Sequence, residues 1–187
     1  MDVIIKYIKE QISSSPSVGI ILGSGLEQLS NKVDNKQSIK YSKIPSFIQT
    51  TVEGHAGEFI TGRVKNTNLD VIFANGRFHY YEGLPYSKVH IIVDIFKKLG
   101  CKYVITTNSS GCLDPLWSPG DLMVIDSHID MTFRNQINHN LKKNGDQFYS
   151  DHLKTIALDC LNDMNLPIRI GTYGWTLGPT YETKSEI

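Results

Sequence analysis

Cysteine and uncompensated charge are both scarce in this chain, and each shortage excludes a class of protein. Its 187 residues include only Cys101, Cys112 and Cys160. Three cysteines without framework spacing predict free thiols rather than a disulfide-stabilised secreted fold. Nineteen basic residues against nineteen acidic ones leave a formal net charge of zero, so nothing in the composition indicates a nucleic-acid partner.

A long apolar run is missing at the amino end, where a signal peptide or membrane anchor would stand. Ile4, Ile5, Ile8 and Ile12 recur at helical spacing and are interrupted by lysine and glutamate. This pattern predicts an amphipathic helix and neither a signal peptide nor a membrane span. We therefore expect a cytoplasmic protein without a membrane partner.

Several familiar binding motifs are also absent. The Gly23-Ser24-Gly25 turn lacks the third glycine of a dinucleotide fingerprint, and no P-loop ending occurs. No Gly-x-Ser-x-Gly elbow of a serine hydrolase is present. The histidines form no His-Glu-x-x-His motif, and the nearest approach to a metal-ligand pair is His128-x-Asp130. We expect no metal.

The most informative stretch that is present covers residues 76–83, Gly-Arg-Phe-His-Tyr-Tyr-Glu-Gly, directly after the apolar run 71–74. The run reads as a buried strand, so Arg77 and His79 would stand at its carboxyl end, where open α/β sheets hold their ligands. A fixed cation, an imidazole, two phenols and a carboxylate in this order favour the binding of an oxyanion beside a sugar.

Two more turns follow apolar runs that read as parallel strands. Residues 18–22 lead into the turn that carries Ser24, and residues 103–107 lead into Asn-Ser-Ser-Gly, which carries Ser109. Glycine-rich turns after strands expose backbone N–H groups to an anion, and the serine hydroxyls add donors. His55, within Gly-His-Ala-Gly at 54–57, is flanked by small residues that permit close approach.

Together with Gly-Pro-Thr-Tyr-Glu-Thr at 178–183, these motifs resemble the trimeric purine nucleoside phosphorylases, in the family's order and over nearly the whole chain. The resemblance implies that phosphate attacks C1′ of a purine ribonucleoside or deoxyribonucleoside, releasing the base and the sugar 1-phosphate. It also implies a role in purine salvage, a homotrimer, and no metal or organic cofactor.

The resemblance assigns a role to each candidate site residue. Phosphate would be held by Ser24, His55, Arg77, His79 and Ser109. Glu82 would orient His79 from behind, as carboxylates commonly do for imidazoles. His79 and Glu182 are the candidate catalytic residues.

The nucleoside would be held by a second group of residues. Tyr81 matches the tyrosine at the ribose, and Phe133 matches the aromatic residue that one subunit lends to its neighbour. Tyr181 and Glu182 would bind the purine, with the backbone of Ser110 and Gly111 as floor. A carboxylate at 182 would accept hydrogen bonds from N1–H and the 2-amino group, which favours inosine and guanosine over adenosine.

The order of elements predicts a single α/β domain over residues 1–187, with a mixed, largely parallel central sheet flanked by helices. The predicted elements are a hairpin of strands 57–64 and 69–75, helices 86–99 and 152–164, and strands 121–126 and 168–173. Residues 135–150 are polar and irregular, and they are the candidate for a mobile loop.

The last residues carry a helix-start signal. Thr183-Lys184-Ser185-Glu186 has the pattern of a capping box, and family members continue beyond this point. We therefore expect the carboxyl-terminal part of the domain to be missing and the chain to have little activity. A methylthioadenosine phosphorylase, a non-catalytic purine or phosphate binder and a hydrolytic nucleosidase remain open as alternatives.

Overall fold

The computed structural model describes residues 1–48, 57–132, 148–178, 180, 182–183 and 185. The chain divides into two compact units, residues 1–110 and 111–187, and each is described by itself. The prediction of a single domain stays a prediction.

The first unit is built on a five-stranded sheet in the order β2-β3-β4-β1-β5. Its strands are β1 Val18–Ile21, β2 Val33–Lys40, β3 Glu58–Val64, β4 Asp70–Asn75 and β5 Tyr103–Thr106. The central strand β1 pairs in parallel with β4 and with β5. The remaining pairings, β2 with β3 and β3 with β4, are antiparallel, so the sheet is mixed.

Helices cover this sheet because their apolar residues share one face. The helices are α1 Asp2–Gln11, α2 Tyr86–Val89 and α3 Ile91–Leu99. Ile4 and Ile8, one turn apart, are buried on α1, and Ile95 and Phe96 are fully buried on α3. They join one apolar cluster with strand residues such as Phe59, and the burial of this surface is the main force holding the unit together.

One sequence prediction for this unit needs correction, and one strand was missed. The helix predicted over 86–99 is broken at His90, whose φ of −92° and ψ of 6° leave the helical region. There the His90 carbonyl accepts the N–H of Asp94, and α3 starts anew at Ile91. Strand β2 was not predicted at all, whereas the hairpin of β3 and β4 is confirmed within a residue at each end.

The second unit contains a parallel pair of strands, β6 Met123–Asp130 and β7 Arg169–Trp175, and the helix α4 Asp151–Asp163. The strand predicted to begin at 121 begins two residues later. Gly120 adopts a φ of 98°, and Asp121 accepts hydrogen bonds from the Ser118 N–H at 3.2 Å and from Arg169 Nε at 3.0 Å. These hydrogen bonds hold Asp121 in the turn and lower the pKa of its carboxyl group.

The observed combination of a mixed central sheet and flanking helices confirms the predicted α/β class. Within the described ranges, no helix has the length and apolar character needed to cross a membrane.

Candidate active site

The three turns singled out in the sequence lie at one edge of the first unit's sheet. Strands β4, β1 and β5 are parallel neighbours in matched register, with Ile21 opposite both Ala74 and Thr106. Their carboxyl ends therefore coincide, and the segments that carry Ser24, Arg77 and Ser109 all leave from the same side. This edge is where parallel sheets present ligand-binding groups.

The turns after β1 and β5 are in direct contact. The N–H of Gly23 donates to Thr107 Oγ1 at 2.8 Å, and the Ser109 hydroxyl donates to the Ser24 carbonyl at 3.3 Å. A Cβ at position 23 would lie 2.6 Å from the Thr107 carbonyl oxygen, closer than real Cβ atoms approach. Glycine is thus required at this position by the close approach of the two backbones.

Arg77 connects the turn after β4 to the turn after β5. Its Nη1 donates to the Thr107 carbonyl at 3.1 Å, and its Nε donates to His79 Nε2 at 2.9 Å. Two contacts on different atoms fix the plane of the guanidinium. Within the described part of the chain Nη2 makes no hydrogen bond, so this side of the fork can serve an oxyanion.

His79 is held in one tautomer by its neighbours. An arginine Nε can only donate, so His79 Nε2 is the acceptor and the ring proton sits on Nδ1. Nδ1 then donates to Glu82 Oε1 at 3.0 Å, and the same oxygen accepts the backbone N–H of His79 at 2.6 Å. Both ring nitrogens of His79 are therefore engaged, Nε2 by Arg77 and Nδ1 by Glu82.

A short 3-10 helix, Tyr80–Glu82, positions the carboxylate. At its start the Glu82 carboxylate accepts the backbone N–H of His79, and Gly83, at a φ of 78°, ends it. The Glu82 side chain is only 3% exposed, which excludes water and strengthens its bond to the imidazole. The Tyr81 ring stacks on the His79 ring at 4.7 Å between centroids and 13° between planes, so it covers one face of the imidazole.

Gly76, the residue before Arg77, is held in place by a hydrogen bond from a buried core residue, Tyr41. The buried Tyr41 hydroxyl donates to the Gly76 carbonyl at 2.9 Å, and Gly76 adopts a φ of 123° that favours glycine. Burial, with a smaller contribution from the Glu58 carboxylate, raises the pKa of Tyr41 far above its usual value, so the hydroxyl stays a donor. Sequence reasoning missed this anchor, because no local pattern links residue 41 to residue 76.

Thr107 was also given no role by the sequence. Its hydroxyl accepts from the Gly23 N–H and donates to the Ile21 carbonyl at 3.0 Å, and its own carbonyl accepts from Arg77. The only local signal was its position as the last residue of a predicted strand, immediately before the Asn-Ser-Ser-Gly turn.

The predicted base-binding residues fall mainly in the second unit or outside the described residues. Glu182 is exposed and accepts a hydrogen bond from Thr176 Oγ1 at 2.7 Å. Ser110 and Gly111 are exposed where the two units meet in the sequence. Three predicted site residues lie outside the described residues, namely His55, Phe133 and Tyr181. The same holds for most of the loop predicted over 135–150 and for two of the four residues of the terminal capping box, Lys184 and Glu186.

No group of three or more His, Cys, Asp or Glu side chains that could hold a metal ion occurs among the residues that the structure describes. The prediction that the protein uses no metal is not tested by this observation and stays a prediction.

Comparison with known proteins gives one consistent result. The sequence model described as "Phosphorylase superfamily" matches residues 17–187. Purine nucleoside phosphorylase 1 of Geobacillus stearothermophilus is 40% identical over 189 residues, which cover 97% of this chain and 68% of the relative. The chain thus spans about two thirds of the length of this relative.

Solved structures agree with the sequence match. The crystal structure of schistosoma purine nucleoside phosphorylase in complex with hypoxanthine has a TM-score of 0.84 and 31% identity, covering 99% of this chain and 69% of that one. Isoform 2 of the Schistosoma mansoni enzyme, in complex with cytosine and ribose-1-phosphate, has a TM-score of 0.83 and 29% identity, covering 99% and 68%.

Proposed function

The chain belongs to the purine nucleoside phosphorylases of the phosphorylase superfamily, and we propose that it catalyses the phosphorolysis of purine ribonucleosides and deoxyribonucleosides. An oxygen of inorganic phosphate forms a bond to C1′ of the sugar while the bond from C1′ to N9 of the purine breaks. The bonding pair passes to the purine ring, which takes up a proton, and the products are the free base and the (deoxy)ribose 1-phosphate.

The observation that carries this proposal is the placement of Arg77 and His79 at the edge where three parallel strands end. Arg77 is held by Thr107 and His79 through Nη1 and Nε, which among the described residues leaves Nη2 available to a ligand. His79 is held in turn by Glu82. Such a preorganised cation is suited to holding phosphate in line with C1′, and much of the rate of such a reaction comes from positioning and electrostatics.

The finer assignments are proposals as well. Ser24, His55 and the backbone of Ser109 complete the phosphate site, and Tyr81 and Phe133 contact the sugar. Tyr181 and Glu182 select a 6-oxopurine, with Ser110 and Gly111 beside it. The solved relatives that hold hypoxanthine or ribose-1-phosphate support a ligand of this kind. We also propose that the protein works in purine salvage in the cytoplasm as a homotrimer, without a metal or organic cofactor.

The test measures release of hypoxanthine from inosine with and without inorganic phosphate, with the Arg77→Gln variant as a comparison. We expect release that requires phosphate, survives chelation of metals, and falls strongly in Arg77→Gln. Binding of phosphate to the same sample is measured by calorimetry in parallel, so that binding and turnover are determined separately.

Each competing function predicts a different result. Release without phosphate would mean hydrolysis and would overturn the proposal. Release from 5′-methylthioadenosine in preference to inosine would identify a methylthioadenosine phosphorylase. Saturable binding of phosphate and hypoxanthine without any release would identify a non-catalytic binder.

A further inference from the structure

We propose that Thr107 is a positioning residue of the phosphate site, which sets the turn carrying Ser24 at a fixed place relative to Arg77. This inference rests on the proposed function, because it concerns the same site. It assigns a task to a side chain that would not itself contact the substrate.

The first step of the argument is that one residue serves both turns. The Thr107 hydroxyl accepts from the Gly23 N–H at 2.8 Å and donates to the Ile21 carbonyl at 3.0 Å. The Thr107 carbonyl accepts from Arg77 Nη1 at 3.1 Å. Thr107 therefore positions both groups: its hydroxyl holds the turn at Gly23, which precedes Ser24, and its carbonyl holds the Arg77 guanidinium.

The second step is that the Thr107 hydroxyl accepts a backbone N–H, that of Gly23, which the hydrogen bonds between β1 and β5 leave without an acceptor. The sheet hydrogen bonds end at Thr107, whose N–H donates to the Ile21 carbonyl at 3.1 Å. The next donor on the β1 side is the N–H of the buried Gly23, and it is paired with the Thr107 hydroxyl. Without that hydroxyl the N–H would lose its acceptor, which is costly for a buried group.

The third step is that the turn has little freedom to adjust by itself. A Cβ at position 23 would lie 2.6 Å from the Thr107 carbonyl oxygen and 2.8 Å from Asn108 Cα, so the two backbones are already in close contact. Loss of the hydroxyl would therefore move the Gly23 turn away from Thr107 rather than toward it. That movement would displace the Ser24 donor from a phosphate held by Arg77.

Thr107→Val tests the inference, since it keeps the shape of the side chain and removes the hydroxyl. We expect the KM for phosphate, and the Kd measured by calorimetry, to rise about tenfold, with the KM for inosine nearly unchanged. Thr107→Ser restores the hydroxyl and should restore phosphate affinity. Thr106→Val, the neighbouring exposed threonine on β5, is the matched control and should behave as wild type.

The outcomes separate this inference from the proposed function. If the wild type binds phosphate and Thr107→Val binds it equally well, the inference about Thr107 is wrong and the proposed function is unaffected. The same holds if Thr107→Val loses phosphate affinity and inosine affinity to the same extent. Wild-type protein that binds phosphate without turnover would overturn the proposed reaction, and the calorimetric comparison would still decide the role of Thr107. If Thr107→Val does not fold, Thr107→Ala and Thr107→Ser are compared in the same way. Failure of the wild type to bind phosphate would overturn both.

Discussion

Arg77 shows how one side chain combines a structural task with a proposed chemical one. Its Nε donates to His79 and its Nη1 donates to the Thr107 carbonyl, whereas Nη2 makes no hydrogen bond to the described residues. A lysine has the same charge, but it carries the charge on a single nitrogen. A lysine at this position therefore cannot make the two contacts that Arg77 makes to His79 and Thr107 while also binding phosphate.

We expect Arg77→Lys to raise the KM for phosphate by roughly tenfold to a hundredfold, because charge-assisted hydrogen bonds are worth about 1.5–3 kcal/mol. Steady-state kinetics with varied phosphate measures this effect. Arg63→Lys is the matched control: Arg63 is exposed, pairs with Asp70 on the surface, and should leave the KM unchanged. Equal behaviour of the two variants would remove Arg77 from the phosphate site.

At the scale of elements, the central strand β1 packs against α3 with almost no space to spare. A Cβ at Gly19 would lie 2.1 Å from the Phe96 ring. Phe96 is fully buried and contacts Phe59 at 6.2 Å between ring centroids, so the ring cannot move aside without disturbing the core.

Gly19→Ala should lower the free energy of unfolding by about 1–3 kcal/mol through overpacking, measured by urea denaturation. Phe96→Leu creates room, so the double variant should lose less than the sum of the two single losses. Gly111→Ala is the control, because nothing lies within 4 Å of a Cβ at that glycine. Strict additivity of Gly19→Ala and Phe96→Leu would contradict the packing argument.

The elements also show what a sequence can and cannot predict. Strands β1, β4 and β5 were found because each is a short apolar run followed by a turn, and their parallel order placed Arg77, Ser24 and Ser109 on one edge. Strand β2 was missed because it is largely polar and exposed, with Asn35 at a φ of 53° where its register with β3 shifts.

Contacts between distant segments explain the remaining misses. The bond from Gly23 to Thr107 joins residues 84 apart in sequence, and the bond from Tyr41 to Gly76 joins residues 35 apart. Neither hydrogen bond can be predicted from the residues next to it in the sequence. The pairing of His79 with Glu82 could be anticipated, because it spans only three residues and carboxylates commonly orient imidazoles.

On the scale of the whole molecule, Tyr41 couples stability to alkaline pH. Burial raises its pKa, so the folded protein keeps the phenol proton above pH 10, where an unfolded chain loses it. The stabilising contribution is therefore complete below about pH 10 and is lost as the pH rises toward the folded-state pKa. A single group of this kind contributes up to about 1.4 kcal/mol per pH unit.

Tyr41→Phe should consequently make the free energy of unfolding fall less steeply between about pH 10 and 11, as measured by urea denaturation at each pH. At pH 7 the same variant should be less stable by about 1–3 kcal/mol, because the Gly76 carbonyl loses its donor. Tyr7→Phe, on a residue that packs against the same core, should be close to neutral at pH 7. Identical alkaline slopes for wild type and Tyr41→Phe would show that Tyr41 does not carry the dependence.

Ligand binding offers a test of whether the chain behaves as the single domain that its sequence predicts. The first unit carries Ser24, Arg77, His79 and Ser109, whereas both tryptophans, Trp117 and Trp175, lie in the second unit. Circular dichroism follows helices of both units during thermal unfolding, and tryptophan fluorescence follows the second unit alone.

Phosphate at about a hundred times its Kd should stabilise the folded protein by about 2.7 kcal/mol, which corresponds to roughly 5–10 °C in Tm for a chain of this size. If the chain unfolds as one domain, circular dichroism and fluorescence will show the same shift. Potassium chloride at equal ionic strength should give little shift, and Arg77→Lys should reduce the phosphate effect. A fluorescence transition that phosphate leaves in place, while the circular dichroism transition moves, would mean that the two units unfold independently and that the single-domain prediction is wrong.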